Sequence, residues 1–195
     1  MKYQILSLLL SAALLSGCAA EEQGGQTAKP GSIASGAAVS AAVGREQTAE
    51  LEFHLEGETE TVPATLYIAD GYSLYIPDEG WKPESDTEDG IRADHWESTV
   101  NDEVELSVYY YADVSAMVAK ERFMKSSGYV FADGLGGELG DPLYGTDDEG
   151  DVLQFMVAEG VHGTTYVIAW EYPEMAAEGF GVRLGVIADT FELTE

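Results

Sequence analysis

Apolar residues fall at every second position in several short stretches of this chain. Successive side chains of a strand point to opposite faces, so a period of two restricts the fold to one built mainly of sheet. Leu51, Phe53 and Leu55 alternate with Glu52, His54 and Glu56, the pattern of a half-exposed strand. The runs Ala64 to Ala69 and Tyr72 to Pro77 flank Asp70-Gly71 and make the strongest hairpin signal. A two-residue loop there would pair Tyr67 with Leu74 and Leu66 with Tyr75, mixing polar and apolar residues on both faces. A three-residue loop, Ala69-Asp70-Gly71, instead gathers Leu66, Ile68, Tyr72, Leu74 and Ile76 on one face. That second register is the expected one, with Gly71 left-handed in a bulged turn and Tyr67, Ser73 and Tyr75 pointing the other way.

A second hairpin is expected around Gly160-Val161-His162-Gly163, with Leu153, Phe155 and Val157 sharing a face with Tyr166, Ile168 and Trp170. Val167 and Ala169 make its last strand apolar on both sides, as a covered central strand requires. Val104, Leu106, Val108 and Tyr110 predict a further strand, with Ile91 to Trp96 pairing before it. Two helices complete the pattern. Asp113 is placed to cap one that runs to Ser127, with Val114, Met117, Val118 and Met124 on its buried side. The other begins near Pro173 and carries Phe180, Leu184, Ile187 and Phe191 as a core stripe. Gly179, Gly181 and Gly185 each lower its helicity by about 1 kcal/mol relative to Ala, a cost offset if they allow close contact with the sheet. The order strands, helix, strands, helix predicts an α+β fold, a mainly antiparallel sheet with helices packed on it.

The stretch Gly71-Tyr72-Ser73-Leu74-Tyr75-Ile76-Pro77, followed by Gly80-Trp81, resembles the opening of the PsbP-like fold, and Ile187-Ala188-Asp189-Thr190-Phe191 is similar to the end of that fold's final helix. The resemblance covers residues 64 to 192 in pattern. It implies an α-β-α sandwich used for binding or assembly, with no shared catalytic residues.

Ahead of the domain, Met1 and Lys2 form a short positive region, and Ile5 to Leu15 is an apolar run too short to span a bilayer as a helix. Leu15-Ser16-Gly17-Cys18 follows and resembles the lipobox of bacterial lipoproteins. By that resemblance a signal peptidase cleaves between Gly17 and Cys18, and Cys18 carries a diacylglycerol whose two chains anchor the protein stably at the extracytoplasmic face of the cell membrane. The alternative is an ordinary secretory signal with a chance Cys. Cys18 is the only cysteine, so an internal disulfide is excluded and lipidation favoured. The expected organisation is a signal peptide over 1–17, a flexible tether rich in Ala, Gly and Ser over 18–50, and one domain over 51–195. With lipobox and tether together, the chain also resembles uncharacterised surface lipoproteins of anaerobic Gram-positive bacteria.

Charge narrows the partners. The whole chain holds 9 basic and 36 acidic residues, a formal −27, and six basic against 32 acidic residues lie in 51–195. Nucleic acid is excluded as an electrostatic partner, since binding phosphates needs clustered cations. His54, His95 and His162 are isolated in sequence, and neither HExxH nor GxSxG occurs, so no catalytic residue, metal ligand or cofactor is assigned. Acidic stretches at Glu84 to Asp89 and Asp147 to Asp151 would suit Ca²⁺ or simply solvated turns, and neither follows the EF-hand pattern. Lys120, Arg122 and Lys125 on the first helix either complement its C-terminal dipole or meet an anionic partner. Tyr67 and Tyr75, with Tyr109 and Tyr111, form either an exposed aromatic patch for a protein or glycan partner or a face covered by a second helix layer. The expectation is a noncatalytic binding or accessory module at the cell surface. Its rivals are a hydrolase-type enzyme using a tertiary His and carboxylate cluster, and a cation-dependent structural component of the envelope.

Overall fold

A computed structural model describes residues 44–132 and 140–194. Cys18, the expected signal peptide and most of the expected tether lie outside the described residues.

The described chain runs β1 (Thr48–Leu55), β2 (Glu58–Ala69), β3 (Tyr72–Pro77), β4 (Trp81–Glu88), β5 (Ile91–Ser98), β6 (Glu105–Tyr111), α1 (Ala116–Ser127), β7 (Val130–Phe131), β8 (Leu143–Thr146), β9 (Asp151–Glu159), β10 (Thr165–Pro173), α2 (Val182–Ala188) and β11 (Glu192–Leu193). The strands divide into two sheets, ordered β1-β2-β3-β11 and β4-β5-β6-β10-β9-β8-β7. Every pairing is antiparallel. The fold is therefore α+β, as the alternation predicts. β1 starts at Thr48, three residues ahead of the expected domain limit, and buries Leu51 and Phe53 while Glu52 and His54 stay exposed.

The large sheet is covered on both faces. On one, Ala116, Ala119 and Phe123 of α1 pack against Leu153, Phe155, Val157, Val167 and Ala169. On the other, Leu106, Val108, Tyr166, Ile168 and Trp170 meet Leu51, Phe53, Tyr72 and Leu74 of the small sheet and Leu184 and Ile187 of α2. β10 lies between β6 and β9 and is buried on both sides, as Val167 and Ala169 predict. Asp94 of β5 ties the sheets together: it accepts hydrogen bonds from Tyr72 Oη of β3 at 2.6 Å, Ser85 Oγ at 2.7 Å and Arg92 Nη2 at 3.3 Å.

Both hairpin registers differ from expectation by one residue. Ala69 pairs with Tyr72 and Tyr67 with Leu74, so the first loop is the two-residue Asp70-Gly71. Gly71 is left-handed as expected, with φ +86°, and the Tyr166 hydroxyl fills the space where a side chain would begin. In the second hairpin Glu159 pairs with Thr165 around a five-residue loop, and Leu153, Phe155 and Val157 share their face with Val167 and Ala169. The physical reason is the same twice. Tyr72, Ser73 and Leu74 are buried in succession, and so are residues 165–170. A strand covered on both faces carries no alternation by which to choose a register.

The helices also depart in detail. Ser115, not Asp113, occupies the N-cap of α1, and the buried stripe is Ala116, Ala119 and Phe123. Met117 is 71% exposed and Val118 is exposed. Pro173 ends β10; a 3₁₀ turn over Glu174–Ala176 and a π-helical turn over Ala177–Gly181 lead into α2. Leu184 and Ile187 form its buried face, and Phe191 stacks on Tyr72 beyond its end. Of the three glycines, Gly181 makes the expected close contact: a Cβ there would lie 2.8 Å from the Tyr172 ring on β10. Gly185 faces open space.

Candidate functional site

Where the chain leaves the small sheet for the large one, the two sheets part. Pro77 ends β3, and Asp78 to Gly80 carry the backbone across to Trp81, the first residue of β4. Gly80 turns with φ +89°, a conformation that disfavours residues bearing Cβ. The crossing is pinned at both ends. Asp78 accepts from Thr65 Oγ1 at 2.7 Å and donates its amide to Pro63 O, while Gly80 O accepts from the Thr99 amide at 2.9 Å in the β5–β6 turn. These two turns and α2 frame a cleft of about 760 Å³.

Phe53, Ile187 and Phe180 lie at the apolar floor, with Val62, Pro77 and Trp81 beside them, and Val100, 79% exposed, stands at the mouth. The polar lining is sparse. Arg183 donates to Glu60 Oε2 and to Gly179 O, and its guanidinium lies 5.7 Å from the Phe53 ring centroid. Glu79 also lines the cleft and makes no ion pair among the described residues. A concave, mainly apolar space with a few polar groups is the usual form of a ligand site. A second hollow of about 510 Å³ lies at the start of α1, where Glu159 already accepts from the Ala116 amide.

None of the tyrosines, histidines and helix cations offered from sequence as candidate site residues lines the cleft; its walls use Phe53, Phe180 and Ile187, expected only as core, and Trp81 after Gly80. Tyr67 and Tyr75 lie on opposite faces of the small sheet, because Tyr67 pairs with Leu74 and Tyr75 with Leu66. Tyr67 packs edge-on against Trp96, and burial pushes its hydroxyl up to about 12. Tyr75 is roofed by Arg45, 4.5 Å from its ring centroid, and donates to Glu46 O. Tyr109 packs under Phe123 of α1, with burial raising it to about 12, and Tyr111 is buried. The four tyrosines therefore form no shared open patch.

The histidines stay apart in their surroundings. His54 is exposed on β1 beside Thr59, and His162 is an exposed, left-handed loop residue. His95 is half-buried, its Nδ1 3.0 Å from Glu105 Oε1 and 2.9 Å from Ser107 Oγ, while Nε2 lies 3.5 Å from Asp86 Oδ1 without a hydrogen bond. The hydrogen bond to Glu105 raises the imidazole above its ordinary value, against its burial. Burial opposes ionisation of Glu105, yet the hydrogen bonds from His95 and Ser107 hold its carboxyl below the usual range. Ser107 is 3% exposed and donates to Glu105 at 2.5 Å, so its hydroxyl is committed inside the sheet and is closed to a substrate.

Glu84 to Glu88 belong to an exposed edge strand rather than a loop. Asp147 spends Oδ1 on the amides of Glu149 and Asp151, which closes the β8–β9 turn. No group of three or more His, Cys, Asp or Glu among the described residues is arranged to hold a metal ion. Lys120, Arg122 and Lys125 lie on α1, with Lys125 in its last turn. No helix among the described residues is long and apolar enough to cross a membrane.

Sequence reasoning passes over the cleft because its residues come from five separate segments. The local signals are Trp81 directly after Gly80 and the apolar Val100 in an otherwise polar turn.

No family model and no curated protein matches this chain. Among solved structures, it is similar to the solution structure of cyanobacterial PsbP (CyanoP) from Synechocystis, at 16% identity and a TM-score of 0.47, covering 67% of this chain and 92% of that one. It is also similar to a crystal structure from Bacteroides thetaiotaomicron, at 10% identity and a TM-score of 0.41, covering 67% of this chain and 48% of that one, about half its length. The first is of the kind that residues 71–81 resemble. At these scores neither likeness carries an argument, and the α+β class rests on the strand order itself.

Proposed function

We propose that this chain is a lipid-anchored extracytoplasmic protein whose domain binds a ligand in the cleft between its two sheets and α2. The cleft is the observation that carries the binding reading: an apolar space with aromatic walls, one internally neutralised ion pair and no His, Cys or Lys in its lining. Anchoring is supported by the apolar run Ile5 to Leu15 and by Leu15-Ser16-Gly17-Cys18 directly after it. The strong negative charge supports display away from the anionic surface, since like charges repel within the Debye length of about 10 Å.

Two measurements on the full chain test the two halves. Cells fed an alkyne fatty acid should label the wild-type protein and retain it in the membrane fraction, whereas Cys18→Ser should lose both; an unlabelled wild type sinks the anchor. Partners captured by the wild type should be missing with Val100→Glu, which puts a charge at the cleft mouth. Identical partner sets would remove the cleft from the reading.

A further inference from the structure

Resting on the reading of the cleft as a binding site, we propose that its ligand is an extended basic peptide segment of a partner protein. An apolar side chain of that segment enters the cleft, and its following cationic residues run along β4.

Three observations lead there. First, the cations close to the cleft are already spent: Arg183 on Glu60 and Gly179 O, Lys82 on Glu84 at 3.0 Å and Glu97 at 3.6 Å. Glu79 is left without an ion pair among the described residues, in a lining it shares with Trp81, Phe53 and Phe180. An uncompensated carboxylate in a mainly apolar lining favours a cationic ligand over an anionic one. Second, Trp81 both lines the cleft and begins β4, so the site continues into a strand. Third, β4 pairs only with β5 and is exposed along Lys82 to Glu88, with Glu84, Asp86 and Glu88 at every second position. Its outer edge offers main-chain groups to an added strand except at Pro83, which has no amide hydrogen, and its acids repeat at the spacing of alternate side chains on such a strand. Trp81 and these acids alternate across the two faces of β4, so on an added strand the residue after the anchoring side chain, and every second one beyond it, comes over the acids, where its charge competes with Lys82 for Glu84.

The probe is a fluorescein-labelled peptide of Phe-Leu followed by alternating Lys and Thr, compared with two counterparts: one with Gln for every Lys, the other with Ser-Ser for Phe-Leu. Anisotropy titrations use the full chain. Each variant is first checked by circular dichroism for wild-type spectrum and melting. The Lys peptide should bind, both counterparts should bind about tenfold or more weakly, and so should the Lys peptide to the uncharged cleft variant Val100→Gln and to the triple variant Glu84→Gln, Asp86→Gln, Glu88→Gln. Equal binding of the Gln peptide, with sensitivity to Val100→Gln kept, would overturn the basic ligand and leave the cleft as a binding site. Binding that ignores Val100→Gln but needs the acids would overturn both. No binding of any peptide at millimolar concentration would overturn the peptide class.

Discussion

Asp94 is 4% exposed and depends on its donors, two of which come from side chains of other strands, Tyr72 and Ser85. Burial and the neighbouring carboxylate hold the Tyr72 hydroxyl in its protonated, donating form. Tyr72→Phe leaves one lone pair of a buried carboxylate unmet and should cost about 1–3 kcal/mol in urea unfolding. Gly71→Ala meets two obstacles, the left-handed backbone and the Tyr166 hydroxyl that donates to Asp70 O at 3.0 Å. It should lose more than about 1 kcal/mol, and a wild-type urea midpoint would show that the hairpin tip is not held by Tyr166. His95 and Glu105 predict a pH window. The raised imidazole stabilises the fold below its ordinary 6.5, and that contribution fades as pH climbs through the folded value. The lowered carboxyl stabilises above its ordinary 4.5, and that contribution fades as pH falls through the folded value. The stability gap between wild type and His95→Gln should therefore be widest near about pH 5.5 and narrow by about pH 9. A gap independent of pH would mean that packing, not the ion pair, makes the difference. His95 looked isolated in sequence because Glu105 and Ser107 reach it from the adjacent strand.

At the scale of elements, a strand was legible where an apolar face alternates with a wet one; β4, exposed along Lys82 to Glu88, carries no such alternation and was read as an acidic loop. Leu51 and Phe53 against Glu52 and His54 mark β1 correctly, whereas Tyr72-Ser73-Leu74 and residues 165–170, sealed on both sides, give each hairpin a register wrong by one. The division into two sheets was not legible, because Gly80 and the Asp78 hydrogen bonds that separate β3 from β4 act through tertiary contacts. The cleft was hidden for the same reason. On α1, Met117 and Val118 drew attention by hydrophobicity, while small Ala116 and Ala119 make the close approach and Phe123 fills the space above Phe155 at 4.9 Å between ring centroids. Phe123→Ala should accordingly cost about 3–5 kcal/mol, and Met117→Gln should stay within about 0.5 kcal/mol by the same unfolding measurement. A reversed ranking would place the buried face of α1 where the sequence pattern put it.

For the whole molecule, charge sets the terms. With six basic against 32 acidic residues in 51–195, self-repulsion works against the compact state. Raising NaCl from about 20 mM to about 500 mM should lift the melting temperature, by about 2–4 °C for each kcal/mol of repulsion relieved. The open flank of β4 gives that charge a second task. A bare strand margin is a template on which one molecule can stack upon the next; Pro83 interrupts it near one end, and Glu84, Asp86 and Glu88 repel a like-charged copy along the rest. With their charge removed by Glu84→Gln, Asp86→Gln and Glu88→Gln together, thioflavin-positive fibrils should grow from the folded protein at neutral pH faster than from the wild type, and equal rates would show that these acids do not guard the strand.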